Sequence, residues 1–358
     1  MHWIQQLETD LDNIRIALER SRQNAPAIET GLKLSNALGW FWSMSERELE
    51  GIRWLNQLLA LSDEHIVTDI RAWAHFFVGF LQWFLADYPA AMPHLEQSIA
   101  LWQNSNNTLG LAYASIIQTH IHSINGRLTH LECMEAIETS AAVFRQIGDD
   151  WGLSLALGRA GSTALAEKDY ARAMRYYEEA YAARRRSGLS RMWAGALGNL
   201  GFTAMCQGDF DRAIQYLEQA VIFGEAYNSI AALMTAQCNL GHIQCLRGNA
   251  AGALRTFVGC LAHYRDRGAR DHIIATLAGI AYATTGVGAT LRAAILLDAV
   301  QHQIEAYNIN LWDIERESFD TALAAVQHTL NARNIAEAWA LGQSMTLAQT
   351  IEFALASA

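Results

Sequence analysis

The fold is decided by the stretch ALGRAGSTALAEKDYARAMRYYEEA, residues 156–180. The same frame returns 40 residues later as ALGNLGFTAMCQGDFDRAIQYLEQA (196–220), and again as AQCNLGHIQCLRGNAAGALRTFVGC (236–260). Gly161, Gly201 and Gly241 mark the beat and Ala281 falls on the next one; eight residues after each stand Asp169, Asp209, Asn249 and Ala289. Upstream, Gly79 and Asp87 keep that separation in VGFLQWFLADYPAAMPHLEQSIAL (78–101), and Leu109–Gly148 fits between with a slightly longer second half. Self-similarity at this period means that each unit is one supersecondary element that buries its apolar face against its neighbours. Apolar residues recur at three and four positions through both halves, so each unit reads as two amphipathic helices. At the turn, Gly208 tolerates unusual φ and Asp209 offers a carboxylate to the free amides of the second helix. The repeated glycine lets the paired helices approach closely; a larger side chain there would overpack by roughly 1–3 kcal/mol.

Composition agrees with a helical reading. The 358 residues are 51% hydrophobic and 17% charged, which excludes wholesale disorder. Only 3 are proline, far below ordinary usage, as expected of a chain that is helix almost throughout. Pro89 suits the first turn of its helix, whereas Pro93 is expected to bend it. Five unclustered cysteines exclude a disulfide-stapled secreted scaffold and predict a reducing, cytoplasmic setting. No basic-then-apolar leader opens the chain and no stretch has the length of a membrane span, so no membrane partner is expected. A net charge of −10 argues against direct nucleic-acid binding, which needs a basic face.

The leucine–glycine pair, the glycine–acid turn and the aromatic that follows resemble the tetratricopeptide repeat (TPR). The usual period is 34 with a closing proline; here it is 40 and the proline is missing. Six extra residues most simply lengthen the helices, at about 1.5 Å each. The resemblance implies an all-α, right-handed TPR-like superhelix with a concave inner face, formed by six to seven units over residues 26–307. Residues 1–25 read as an N-terminal junction helix with the stripe Leu7, Leu11, Ile14 and Leu18, and 308–358 as C-terminal capping helices.

The ends carry a second resemblance. Leu7, Glu8, Asn13, Arg15, Ala17 and Leu18, then Gly39, Trp40, Trp42, Glu50, Gly51 and Trp54, and finally Trp339, Gly342, Met345, Thr346 and Leu347 make the chain similar to the sensor region of bacterial STAND/NB-ARC ATPase-type transcriptional regulators (LuxR/AfsR/MalT-like). The resemblance implies an ATPase upstream in the same full-length protein. No G-x-x-x-x-G-K-[ST] loop occurs here, so this stretch has no phosphate cradle of its own and no cofactor is expected.

Placed relative to the repeated glycine, positions −6, −3, −2, +1, +4 and +5 of each first helix are expected to face the groove in TPR-like stacks. In the second unit this gives Trp73, Phe76, Phe77, Phe80, Trp83 and Phe84, either core beneath the N-terminal helices or the apolar floor of a ligand pocket. Further along it gives His120, Arg159, Asn199, Phe202, Asn239, His242 and Tyr282. Asn199 and Asn239 could clamp an extended main chain or bond neighbouring helices. Arg159 suits an anionic ligand group or a solvated ion pair. Cys238, His242 and Cys245 share a helix face, a weak zinc pattern that small groove residues explain as well. Arg184, Arg185 and Arg186 close a second helix, where positive charge suits the helix dipole. No catalytic constellation is evident, so no enzyme is expected. The leading expectation is a sensor that binds a small molecule, peptide or protein on its concave face and controls the upstream ATPase. The alternative is a constitutive TPR scaffold that joins proteins without switching.

Overall fold

The computed structural model describes residues 2–188, 190–267 and 269–356, and every regular element among them is helical. The chain forms two compact units, Met1–Trp193 and Ala194–Ala358.

The first unit opens with α1 (His2–Thr9) and α2 (Leu11–Gln23). Where one junction helix was expected, the chain breaks at Asp10 (φ −91°, ψ 4°), although Leu11 and Leu18 are buried as the stripe requires. Four pairs follow: α3 (Ile28–Met44) with α4 (Glu48–Ala60), α5 (Thr68–Phe84) with α6 (Tyr88–Ser105), α7 (Thr108–Ile124) with α8 (His130–Ile147), and α9 (Asp150–Ala166) with α10 (Tyr170–Arg186). The second unit holds three pairs: α11 (Trp193–Cys206, starting at the boundary) with α12 (Phe210–Ala226), α13 (Ile230–Leu246) with α14 (Ala250–Arg267), and α15 (Arg270–Gly286) with α16 (Thr290–Tyr307). It ends with α17 (Asp313–Thr329), α18 (Ala332–Gln343) and α19 (Leu347–Leu355). The two helices of each pair pack on each other, and first helices of successive pairs also touch: α3 on α5, α5 on α7 and α7 on α9, then α13 on α15. The non-repeat α17 continues that row by packing on α15, and α18 packs on α16. This is a solenoid of helical pairs.

Each sequence signal has a physical counterpart. Most paired helices run 17 or 18 residues, which accounts for the long period. The beat glycine meets the residue sixteen positions later on its partner helix. A Cβ at Gly79 would lie 2.9 Å from Leu95, at Gly161 2.7 Å from Tyr177, at Gly201 2.6 Å from Leu217 and at Gly241 3.0 Å from Phe257. The intra-pair turn is left-handed at Ala86, Lys168, Gly208, Gly248 and Gly288 alike. Asp87, Asp169, Asp209 and Asn249 then cap the following helix through the amide three residues on. Pro93 lies inside α6, which stays continuous to Ser105.

The residues of the second resemblance are mostly structural. Arg15 grips Glu50 bidentately, Nε to Oε1 at 2.6 Å and a terminal nitrogen to Oε2 at 2.8 Å, tying α2 to α4. A Cβ at Gly39 would strike Phe77 at 2.2 Å, and one at Gly51 would strike Trp42 at 2.6 Å. A Cβ at Gly342 would lie 2.8 Å from the Ile295 carbonyl, so the glycine allows α18 to pack closely on α16.

Candidate functional site

In the first unit the aromatic stripe of α5 divides into core and wall. Phe76, Phe77 and Phe80 are buried, whereas Trp73 and Trp83 are half-buried and Phe84 is 49% exposed. The cover comes from Trp40 of α3. Its ring lies 5.2 Å from Phe77, 5.0 Å from Phe80, 5.4 Å from Tyr113 of α7 and 5.6 Å from Trp151 of α9. Four first helices thus converge on one indole, edge-to-face for most pairs, the geometry that aromatic quadrupoles favour. Phe77 and most of Phe80 therefore serve as core beneath Trp40.

Beyond this plug, three residues expected on the inner face meet. Trp83 of α5 donates its indole N–H to Nδ1 of His120 on α7 at 2.7 Å. The Arg159 guanidinium of α9 lies 5.7 Å from the Trp83 ring centre, within cation–π range. An indole only donates, so Nδ1 of His120 must accept and the imidazole is neutral with its proton on Nε2. Its pKa agrees: burial first, then the Arg159 charge, push it down to about 3. Tyr88 of α6 stands edge-on to the same imidazole at 6.2 Å.

A second cation joins the site from α10. Arg184, read from sequence as a helix-end charge, reaches back toward α9, with a terminal nitrogen 3.9 Å from where a Cβ on Gly158 would be. It donates to the Met192 carbonyl at 3.1 Å. Nε of Arg159 and Nε of Arg184 are both enclosed without a hydrogen-bond partner. Burial lowers both pKa values, that of Arg184 to about 10, where the Arg159 charge adds to the effect. A guanidinium keeps its proton at neutral pH, and neither arginine has a carboxylate partner among the described residues.

The second unit treats the corresponding positions differently. Asn199 is exposed, whereas Asn239 is 7% exposed and buried. His242 is buried against Phe257 at 4.9 Å with Nδ1 unpartnered, and burial lowers its pKa to about 4. Cys238 lies 3.7 Å from the Thr276 hydroxyl. Among the described residues no cluster of His, Cys, Asp or Glu is placed to hold a metal, the set Cys238, His242 and Cys245 included. Tyr282 is half-buried, and burial raises its pKa as it does that of neighbouring Cys245, pushed up to about 12. Phe202 is met by Trp312 at 5.5 Å, so the start of α17 returns to the inner side of α11. Cys206, one turn beyond Phe202, is pushed up to about 12 by burial and by Asp313, Glu315 and Glu317. Glu315 accepts from the Trp312 amide at 3.0 Å, and burial raises its pKa to about 7.

Sequence reasoning missed Trp40, Arg184, Trp312 and Glu315 as inner-face residues. For Arg184 a faint signal existed: it follows Tyr177 by seven residues on one helix face, opposite the side-chain-free Gly158.

Comparison with known proteins supports the architecture. Residues 193–229 match the tetratricopeptide repeat family model. No curated protein matches the sequence. Among solved structures, a Rap protein complexed with the competence and sporulation factor shares 13% identity at a TM-score of 0.53, over 91% of this chain and 99% of that one. A signal transduction ATPase with numerous domains (STAND) from Pyrococcus horikoshii, carrying a tetratricopeptide repeat sensor, shares 12% identity at 0.52. That match covers 90% of this chain but 46% of the STAND protein. Aspartyl phosphate phosphatase F from Bacillus subtilis gives 12% and 0.51, over 94% and 95% of the two chains. The chain is thus an all-α TPR-like solenoid. No helix among the described residues is long and apolar enough to cross a membrane.

Proposed function

We propose that this chain is the sensor region of a larger bacterial transcriptional regulator, taking a small molecule, peptide or protein on its inner helical face and thereby controlling an ATPase upstream of it. The observation that carries this reading is the contact of Trp83, His120 and Arg159, contributed by three successive first helices, with Arg184 as a second cation nearby and no carboxylate among the described residues paired with either arginine. A structural core would pair such charges or omit them, because burying an unpaired charge is costly. The STAND protein that overlays on this chain joins a TPR sensor to an ATPase, and the Rap structure is of a complex; both support a binding role. Regulation follows from the architecture. Each helical pair contacts only its neighbours, so small rotations add along a unit, and a ligand that prefers one arrangement shifts the population by its differential affinity.

The test is native mass spectrometry of the chain purified from its host. A bound compound, peptide or protein that is lost on Trp83→Ala supports the proposal. A chain that carries nothing, or a ligand retained in that variant, overturns it. The scaffold alternative draws on Leu246, Val287 and Leu291, apolar side chains left exposed at turn edges of the second unit. It predicts two protein partners bound at once, with unchanged affinity when the inner face of the first unit is altered.

A further inference from the structure

The chain contains 36 acidic residues against 26 basic ones, so an arginine has no shortage of potential partners. Several arginines have one: Arg15 with Glu50, Arg145 with Glu179, Arg172 with Glu138, Arg186 with Asp150 and Arg247 with Asp211. Arg159 and Arg184 have no such partner among the described residues, although their side chains are enclosed and lie close together. Arg159 makes no hydrogen bond among the described residues, and Arg184 spends one nitrogen on the Met192 carbonyl. Beside them, His120 offers only the Nε2 proton, since Nδ1 is taken by Trp83. These groups are therefore all donors, two of them charged. The chemistry that satisfies such a set is an acceptor-only group with negative charge; a guanidinium fork matches a carboxylate or phosphate in two parallel hydrogen bonds. A metal cation is repelled by the same charges. Duplex nucleic acid is disfavoured, because the cluster is recessed between helices of a chain whose net charge is −10. Next to the cations, half-buried Trp83 and exposed Phe84 give a rigid apolar surface suited to a planar or apolar body.

We infer that the inner face of the first unit binds an organic oxyanion, a carboxylate or phosphate on an apolar body, with Arg159 and Arg184 holding the anionic group and Trp83 lying against the body. This rests on the reading of that face as the binding site, and adds the chemical class of its ligand.

The experiment uses the whole chain, with calorimetry and thermal melting against benzoate, phenylphosphate, inorganic phosphate and, as the neutral control, benzamide. Benzoate or phenylphosphate is expected to bind and raise the melting temperature while benzamide does neither; the preference between the two anions tells carboxylate from phosphate. Arg159→Gln and Arg184→Gln should each weaken that binding by roughly tenfold or more, as expected for loss of a charged hydrogen bond. Because each substitution removes an enclosed charge with no carboxylate partner among the described residues, the ligand-free melting temperature should hold or rise. A purely structural arginine would lower it, and Arg159→Lys with circular dichroism separates misfolding from lost recognition. Equal binding of benzamide and benzoate, both abolished by Trp83→Ala, would overturn the anion assignment while leaving the binding face standing. If no probe binds and the host-derived ligand also survives Trp83→Ala, the face itself is wrong and both readings fall.

Discussion

The two units build the same helical pair and finish it with opposite inner faces. In the first, aromatic rings from α3, α5, α7 and α9 lock together around Trp40, and the space beyond them is lined by Arg159, Arg184 and a neutral His120. In the second, the carboxylates of Asp313, Glu315 and Glu317 lie near Cys206, and Trp312 at the start of α17 meets Phe202. The pairing glycines and turn caps are common to both, so the fold does not require the difference. One unit holds two enclosed cations with no carboxylate partner among the described residues, while the other lays a ring of its own non-repeat segment against α11. The proposed recognition is thus local to a few pairs, even though the helical pair itself recurs along the chain.

The largest expected effect tests whether the aromatic plug sets the first unit apart. Trp40→Ala removes the ring on which four helices converge and should cost about 3–5 kcal/mol, in the range of large-to-small changes at packed aromatic sites. Phe202→Ala, at a half-buried ring in the second unit, should cost well under half as much. Chemical denaturation of both variants decides it, and equal losses would erase the contrast.

Acid should separate the units next. In the first, burial lowers the pKa of His75 to about 4 and of His120 to about 3, and His94, 3.0 Å from His75, moves the same way. The unfolded chain takes up protons below about pH 6.5 that these folded imidazoles refuse. Their stabilisation is therefore complete above that pH and declines as pH falls toward the folded values, by at most about 1.4 kcal/mol per pH unit for each group. In the second unit His242 and His272 have this sign, opposed by Asp298 and above all by Glu315. Its folded pKa near 7 keeps a proton that the unfolded carboxyl has lost, so its cost is relieved as pH falls from 7 toward the ordinary carboxyl value. Hydrogen exchange at pH 7 and pH 5, corrected for intrinsic rate, should show α5–α9 losing protection before α11–α15. The reverse order would break the comparison.

What the units share can be tested at smaller cost. Gly201→Leu places a side chain where even a Cβ meets Leu217 at 2.6 Å, and should lose about 1–3 kcal/mol or more through overpacking. Gly188 has open space around it but sits at φ +72°, where any side chain costs about 1–2 kcal/mol. The loss at Gly201 should therefore exceed that at Gly188 by a modest margin. A larger loss at Gly188 would undo the assignment of Gly201 as the close-packing point of both units.

How much of this was legible depended on whether the signal was local. The glycine beat, the capping acids and the helical period lie within one unit's own sequence, so the pairing of Gly161 with Tyr177 and Gly201 with Leu217 could be anticipated in kind. Counting from the glycine also put Trp83, His120 and Arg159 on one wall, and these three do touch. The same count named Phe77 and His242, yet whether an inner-facing ring is wall or core depends on what another helix lays over it. Trp40 covers the first and Phe257 packs against the second. Arg184 escaped because a long side chain on a second helix can extend to the first helix's face. Trp312 and Glu315 escaped because a non-repeat segment returning onto α11 leaves no periodic trace.

That return supplies the smallest and most local prediction. Trp312 is 45% exposed, so Trp312→Ala should shift global stability by no more than about 1 kcal/mol, as for changes outside a core. Its chemical effect should be larger than its energetic one. Cys206 lies one turn from Phe202 on α11, and its thiol is held protonated by burial and by the carboxylates of Asp313, Glu315 and Glu317. The thiolate is the reactive form, so anything that exposes Cys206 or moves those carboxylates away should raise its reactivity. Loosening the start of α17 does both. Alkylation of Cys206 by a small thiol reagent, followed by peptide mapping, should therefore accelerate several-fold in the variant, while buried Cys133 and Cys260 serve as internal controls. Acceleration at all three would signal general unfolding. An unchanged rate at Cys206 would mean that α17 does not cover this face, and the second unit would then be as open to a ligand as the first.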